Sequence, residues 1–130
     1  MFSIEQINHI RSFVKTGADF PKLIADMKNI GIIKSIFYVD KGVEHFFGSN
    51  NFELKCNALY NTIDINNIVS KNELSNILKS HQKGETDFIT FCNQVAKIGI
   101  SYWVVDLIAM NIIYFDSQNN SILEELIPTI

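Results

Sequence analysis

Residues 84–100 read GETDFITFCNQVAKIGI, and residues 17–32 read GADFPKLIADMKNIGI. The two stretches say nearly the same thing. From Asp19 to Ile32 the first matches Asp87 to Ile100 at one constant offset, with Asp19/Asp87, Phe20/Phe88, Ile30/Ile98, Gly31/Gly99 and Ile32/Ile100 identical. Leu23/Phe91 and Met27/Val95 keep apolar character. Phe20, Leu23, Met27 and Ile30 recur at helical spacing, so each stretch predicts an amphipathic helix. Asp19 and Asp87 stand where an N-cap carboxylate accepts hydrogen bonds from the first free backbone N–H groups. Pro21 falls in the first turn, where proline is tolerated. Gly31 and Gly99 follow the last apolar position, where a left-handed C-cap residue belongs.

The pattern extends both ways. Upstream, Ser3-Ile-Glu-Gln6 and Ser70-Lys-Asn-Glu73 fit the capping box, and Gly17 and Gly84 are read as the ends of the helices that follow. Downstream, the period changes to that of strands. Ser35-Ile-Phe-Tyr-Val-Asp40 aligns with Ser101-Tyr-Trp-Val-Val-Asp106, runs of β-branched and aromatic residues. Asp40-Lys-Gly42 is a hairpin turn signal. Phe46-Phe-Gly-Ser-Asn-Asn51 and Tyr114-Phe-Asp-Ser-Gln-Asn119 end second strands in polar turns, and third strands are expected at 52–56 and 122–126. The expected fold is α+β. A helix–helix–β–β–β unit is duplicated internally, and its strands join in one antiparallel sheet with the helices packed on one face. The chain reads as a single domain 1–130, with repeat 1 at about 2–56, a polar connector at about 57–68 and repeat 2 at about 69–127.

Composition bounds the function. With 130 residues, 47% apolar and 19% charged, the chain is a folding sequence that can bury roughly two thirds of its unfolded surface. Its net charge of −3 and scattered lysines give no basic stripe, so nucleic acid is not expected as a partner. The N-terminal MFSIEQINHIRSF shows no signal-peptide pattern. The apolar run 102–115 is short and broken by Asp106 and Asn111, so no membrane span is expected. Two cysteines are few for a secreted scaffold, and a reducing cytoplasm is the expected compartment.

Cys92, His81 and Asp87 invite a nucleophile reading: imidazole would hold the thiolate and carboxylate would orient the imidazole. Against it, Cys92 aligns with Ile24 and His81 with Val14, so both positions are apolar in the first copy. A core cysteine is the simpler reading. Trp103 and Tyr102 are neighbours in a strand, so one must face away from the other. If one sheet face is uncovered, Tyr102, Trp103 and Asp106, with Tyr38 as counterpart from the first copy, are the candidates to line a ligand or partner surface. The competing reading makes Trp103 core, like Phe37, and gives Asp106 a turn. No metal spacing is readable around His9, His45 and His81, and no cofactor motif is present.

The run His81-Gln-Lys-Gly-Glu-Thr-Asp-Phe-Ile-Thr-Phe-Cys92, followed by Gly99, Trp103-Val-Val-Asp106, Met110 and Tyr114-Phe-Asp116, resembles a domain-of-unknown-function family. Its members are small bacterial and prophage-encoded proteins often labelled "phage envelope protein". Phe2-Ser-Ile-Glu-Gln-Ile7, Gly17-Ala-Asp-Phe-Pro21, Tyr38, Asp40-Lys-Gly42 and Phe47-Gly48 fit as well, so the resemblance spans essentially the whole chain. Phe88 and Phe115 depart from it, since tyrosine is common there. The resemblance implies no catalytic or binding residues. Three readings follow. A non-enzymatic module binding an unknown small molecule, peptide or protein is favoured. A thiol-dependent or redox-responsive protein using Cys92 with His81, and a phage structural or accessory protein, are the alternatives.

Overall fold

A computed structural model describes residues 1–129. Ser3 opens α1 (Ile4–Arg11), with both hydrogen bonds of the capping box to Gln6 formed. A 3₁₀ turn (Gly17–Asp19) leads into α2 (Phe20–Asn29), which buries Ile24 and Met27. Then come β1 (Lys34–Tyr38), β2 (Val43–Phe47) and the short β3 (Glu53–Lys55). After an irregular connector the same order of elements recurs: α3 (Lys71–Gln82), α4 (Phe88–Lys97), β4 (Ile100–Asp106), β5 (Asn111–Asp116) and β6 (Ser121–Leu126).

The six strands form one antiparallel sheet in the order β3-β2-β1-β4-β5-β6. Its two halves meet at β1 and β4, where Ile36 faces Val104, Phe37 faces Trp103 and Tyr38 faces Tyr102. Strand alternation sends Phe37, Trp103, Val105, Ile112 and Tyr114 to one side, where they are buried. All four helices contribute to that same core, through Ile7, Ile24, Leu74, Phe91 and Cys92 among others. The connector also adds to the core: Tyr60, Ile63 and Ile65 pack against it, and Tyr60 donates its hydroxyl to the Val39 carbonyl at 2.6 Å.

Several local expectations are sharpened. Asp87 caps α4 by accepting from Thr90 N at 2.7 Å. Asp19 does not cap α2; its carboxylate turns back to accept from Lys15 N and Thr16 N. An extra 3₁₀ turn before α2 places those two amides closer to it than the helix's own. Gly17 does not end α1, which stops at Arg11. It is needed because a Cβ there would lie 2.3 Å from the His81 carbonyl oxygen, where the 3₁₀ turn meets the end of α3. Gly31 and Gly99 do take left-handed backbone, at φ 98° and 90°.

Candidate functional site

The side chains that alternate away from the helices form the other face of the sheet, and no helix covers it. On β1 and β4 these are Lys34, Ile36, Tyr38, Tyr102, Val104 and Asp106, all half-buried. Register lines them up in rows across the strands. One row is aromatic: Tyr38 lies 6.0 Å from Tyr102, which stacks on Phe115 at 4.8 Å and 7°. His45, one row along, packs diagonally against Tyr38 at 5.1 Å. The next row is aliphatic at its centre, with Ile36, Val104 and Ile113, and His45 stands beside Ile36 on β2. The third is mixed: Phe47, Lys34, Asp106 and Asn111, with the Lys34 ammonium 4.6 Å from the Phe47 ring centroid. β-Branched and aromatic side chains suit a strand on either face, so local sequence does not mark this one as uncovered.

The Tyr102 hydroxyl donates to Asn119 Oδ1 at 2.8 Å, which fixes the ring over the β5–β6 turn. Asp106 accepts from Ile108 N and Ala109 N, both at 2.9 Å, so its carboxylate holds the β4–β5 turn. At that end of the sheet an open groove of about 280 Å³ is lined by Lys34, Phe47, Phe52, Asp106 and Ile108. Of the four residues singled out for a contact surface, Tyr38, Tyr102 and Asp106 share the uncovered face. Trp103 lies beneath it, 5% exposed and stacked on Phe37.

Cys92 and His81 go separate ways. Cys92 is fully buried beside the Tyr60 hydroxyl, and loss of solvent pushes its thiol up to about 12. A thiol held protonated at neutral pH is the opposite of an activated nucleophile. His81 stacks on Phe91 at 4.2 Å, and its Nδ1 is 3.0 Å from the Thr86 hydroxyl. Burial lowers its pKa, so the neutral ring is favoured. No hydrogen bond joins the two. Among the described residues no cluster of His, Cys, Asp or Glu could hold a metal ion.

One polar cluster was not anticipated. Arg11, the sole arginine, forms an ion pair with Glu44 on the helix-facing side of β2, and its guanidinium lies 5.2 Å from the Phe46 ring centroid. Their side chains are 25% and 16% exposed. Desolvation raises the Glu44 pKa, against the opposing pull of Arg11 and the Ser35 hydroxyl. Cys56 N donates to the Glu44 carbonyl, which brings the second thiol alongside, and desolvation raises that thiol too. The sequence carried a signal here. Glu44 shares the parity of buried Phe46 in β2, and an acidic residue on a core-facing parity needs a partner.

The site thus defines an α+β protein with one helix-covered and one uncovered sheet face. By its sequence the chain belongs to the family described as "protein of unknown function (DUF1398)", whose model matches residues 8–126. No match was found among curated proteins. Among the described residues no helix is long and apolar enough to cross a membrane.

Proposed function

We propose that the protein is a non-enzymatic interaction module whose contact surface is the uncovered face of the sheet. The row Tyr38–Tyr102–Phe115 carries the reading: three aromatic rings lie side by side across β1, β4 and β5 with no helix packed over them. Half-buried aromatics are the side chains most able to anchor a protein contact, because they bury large area at small cost in side-chain entropy. The groove at the end of the face is open, which suits a macromolecular partner better than an enclosed small molecule.

We read the two halves as an internal repeat within a single folding unit. The same order of elements in each half and the placement of the sequence-aligned pair Phe37/Trp103 directly opposite one another support this. Two unpaired cysteines suit a reducing compartment such as the cytoplasm. A phage-structural role has only the family resemblance behind it, and a thiol-dependent role would need a thiolate that buried Cys92 does not supply at neutral pH.

A photo-crosslinking phenylalanine analogue placed at Phe115 tests the contact surface in living cells. The expected result is a discrete adduct from this position and none from Ile89 on the exposed side of α4. No adduct from Phe115 at any expression level would overturn the reading.

A further inference from the structure

Three features of the surface invite an occupant. The β6 edge offers unpaired backbone over Ser121–Leu126, yet Glu124 and Glu125 sit on it, and charged edges resist strand addition. β3, the opposite edge, has three residues. Lateral growth of the sheet is therefore disfavoured at both ends. The groove beside Lys34 and Asp106 is open and small. The uncovered face itself remains, and its pattern is self-complementary.

We propose that a second copy of the chain docks face to face on this surface, about a two-fold axis lying between the two sheets and parallel to β1 and β4. The proposal rests on the reading of the face as the contact surface and names its occupant.

The geometry follows from register. β1 and β4 are the central pair, with Lys34 opposite Asp106, Ile36 opposite Val104 and Tyr38 opposite Tyr102. A two-fold axis along the strands, midway between them, lays β1 of one copy over β4 of the other at the same height. Lys34 then meets the partner's Asp106, and the reverse contact forms by symmetry. Ile36 meets the partner's Val104, and Tyr38 meets the partner's Tyr102. At the central strands each row meets its own kind, Tyr38 with Tyr102 and Ile36 with Val104, and the only central charges on the face meet opposite charges. Within one chain Lys34 and Asp106 form no ion pair with each other, and Asp106 holds its turn through Oδ1, which leaves Oδ2 to accept from the partner's Lys34. Aligned packing of two sheets about 10 Å apart is a stable arrangement for such faces.

Area points the same way. The chain exposes 7588 Å², about 600 Å² more than the roughly 7000 Å² that a monomer of this mass is expected to show. One partner's share of a standard interface is about 800 Å². Leu126, 80% exposed on the face side of β6, and Ile108, 72% exposed at the rim of the groove, add apolar surface at its border.

Sedimentation equilibrium of the full chain, up to about 1 mM, reads the result directly. The expected mass is twice the 14.8 kDa of one chain. Val104→Lys places a charge at the centre of the face and should yield a monomer that still unfolds cooperatively, at a midpoint that no longer depends on protein concentration. Lys34→Glu sets like charges opposite each other twice and should weaken association more than about tenfold. Adding Asp106→Asn to that chain keeps the turn-holding oxygen, removes the repulsion and should restore part of the loss. A dimer that survives Val104→Lys overturns the proposal, as does a monomer at every concentration. In the second case the Phe115 crosslink separates the two ideas: an adduct with a different protein keeps the contact surface and sinks self-docking, while no adduct removes both.

Discussion

Phe37 and Trp103 stack at 4.8 Å and 16° directly across the β1–β4 seam, on the buried side of the sheet. Phe88 and Phe91 of α4 pack on the same indole at 6.1 and 5.6 Å. Trp103→Ala therefore empties the centre of the molecule and should cost about 3–5 kcal/mol in urea unfolding. Tyr102→Ala, one residue away on the uncovered face, should cost less than about 1.5 kcal/mol. Equal losses at the two positions would contradict the assignment of the faces.

The two thiols should differ in reactivity. Iodoacetamide at pH 8 should modify half-buried Cys56 slowly and leave Cys92 untouched until the chain unfolds. Cys92 ionises near 9.0 when exposed and near 12 in the fold. Above pH 9 the unfolded chain loses this proton and the folded chain keeps it, so stability falls as pH rises from about 9 to about 12. The alkaline decline should be shallower in Cys92→Ala. Labelling of Cys92 in the native protein as fast as Cys56 would refute its burial.

The Arg11–Glu44 pair allows a signed pH test. Arg11→Met leaves a buried carboxylate without its cation and should cost about 3 kcal/mol at pH 7. Because the fold raises the Glu44 pKa, its ionisation opposes folding, and that penalty is relieved as pH falls through the folded pKa toward the ordinary 4.5. Losing Arg11 removes the pull that lowers this pKa, so the raised value climbs further. The variant should accordingly regain stability relative to wild type as pH falls from 7 toward 4.5. A constant deficit across that range would show that the loss is one of packing alone.

Gly17 and Asp87 separate tertiary from local effects. Gly17→Ala forces a methyl group against the His81 carbonyl and should destabilise by about 1–3 kcal/mol. Asp87→Ala removes the N-cap of α4 and should cost about 1 kcal/mol. Thermal unfolding distinguishes them. A neutral Gly17→Ala would mean that the 3₁₀ turn and the end of α3 do not touch in solution.

Local physics was largely legible in the sequence. Apolar spacing marked the helices, Ser3 and Asp87 marked their starts, and Gly31 and Gly99 marked their stops. Strand alternation forced Trp103 and Tyr102 onto opposite faces. Each of these depends on neighbours a few residues away, so the pattern is written in the chain. Asp19 shows the limit even there, since a single extra turn redirected its carboxylate.

What the sequence by itself determined is the order of elements, their caps and the partition of each strand into two faces. Tertiary structure alone decided the pairing of β1 with β4, the side on which all four helices lie, and hence that Tyr38, Tyr102 and Asp106 stand on uncovered ground while Trp103 lies in the core. It also decided that Arg11 reaches Glu44, thirty-three positions away. Such choices rest on burying one sheet face against helices distant in the chain, and a face with apolar residues on both sides carries no local mark of which side will be chosen.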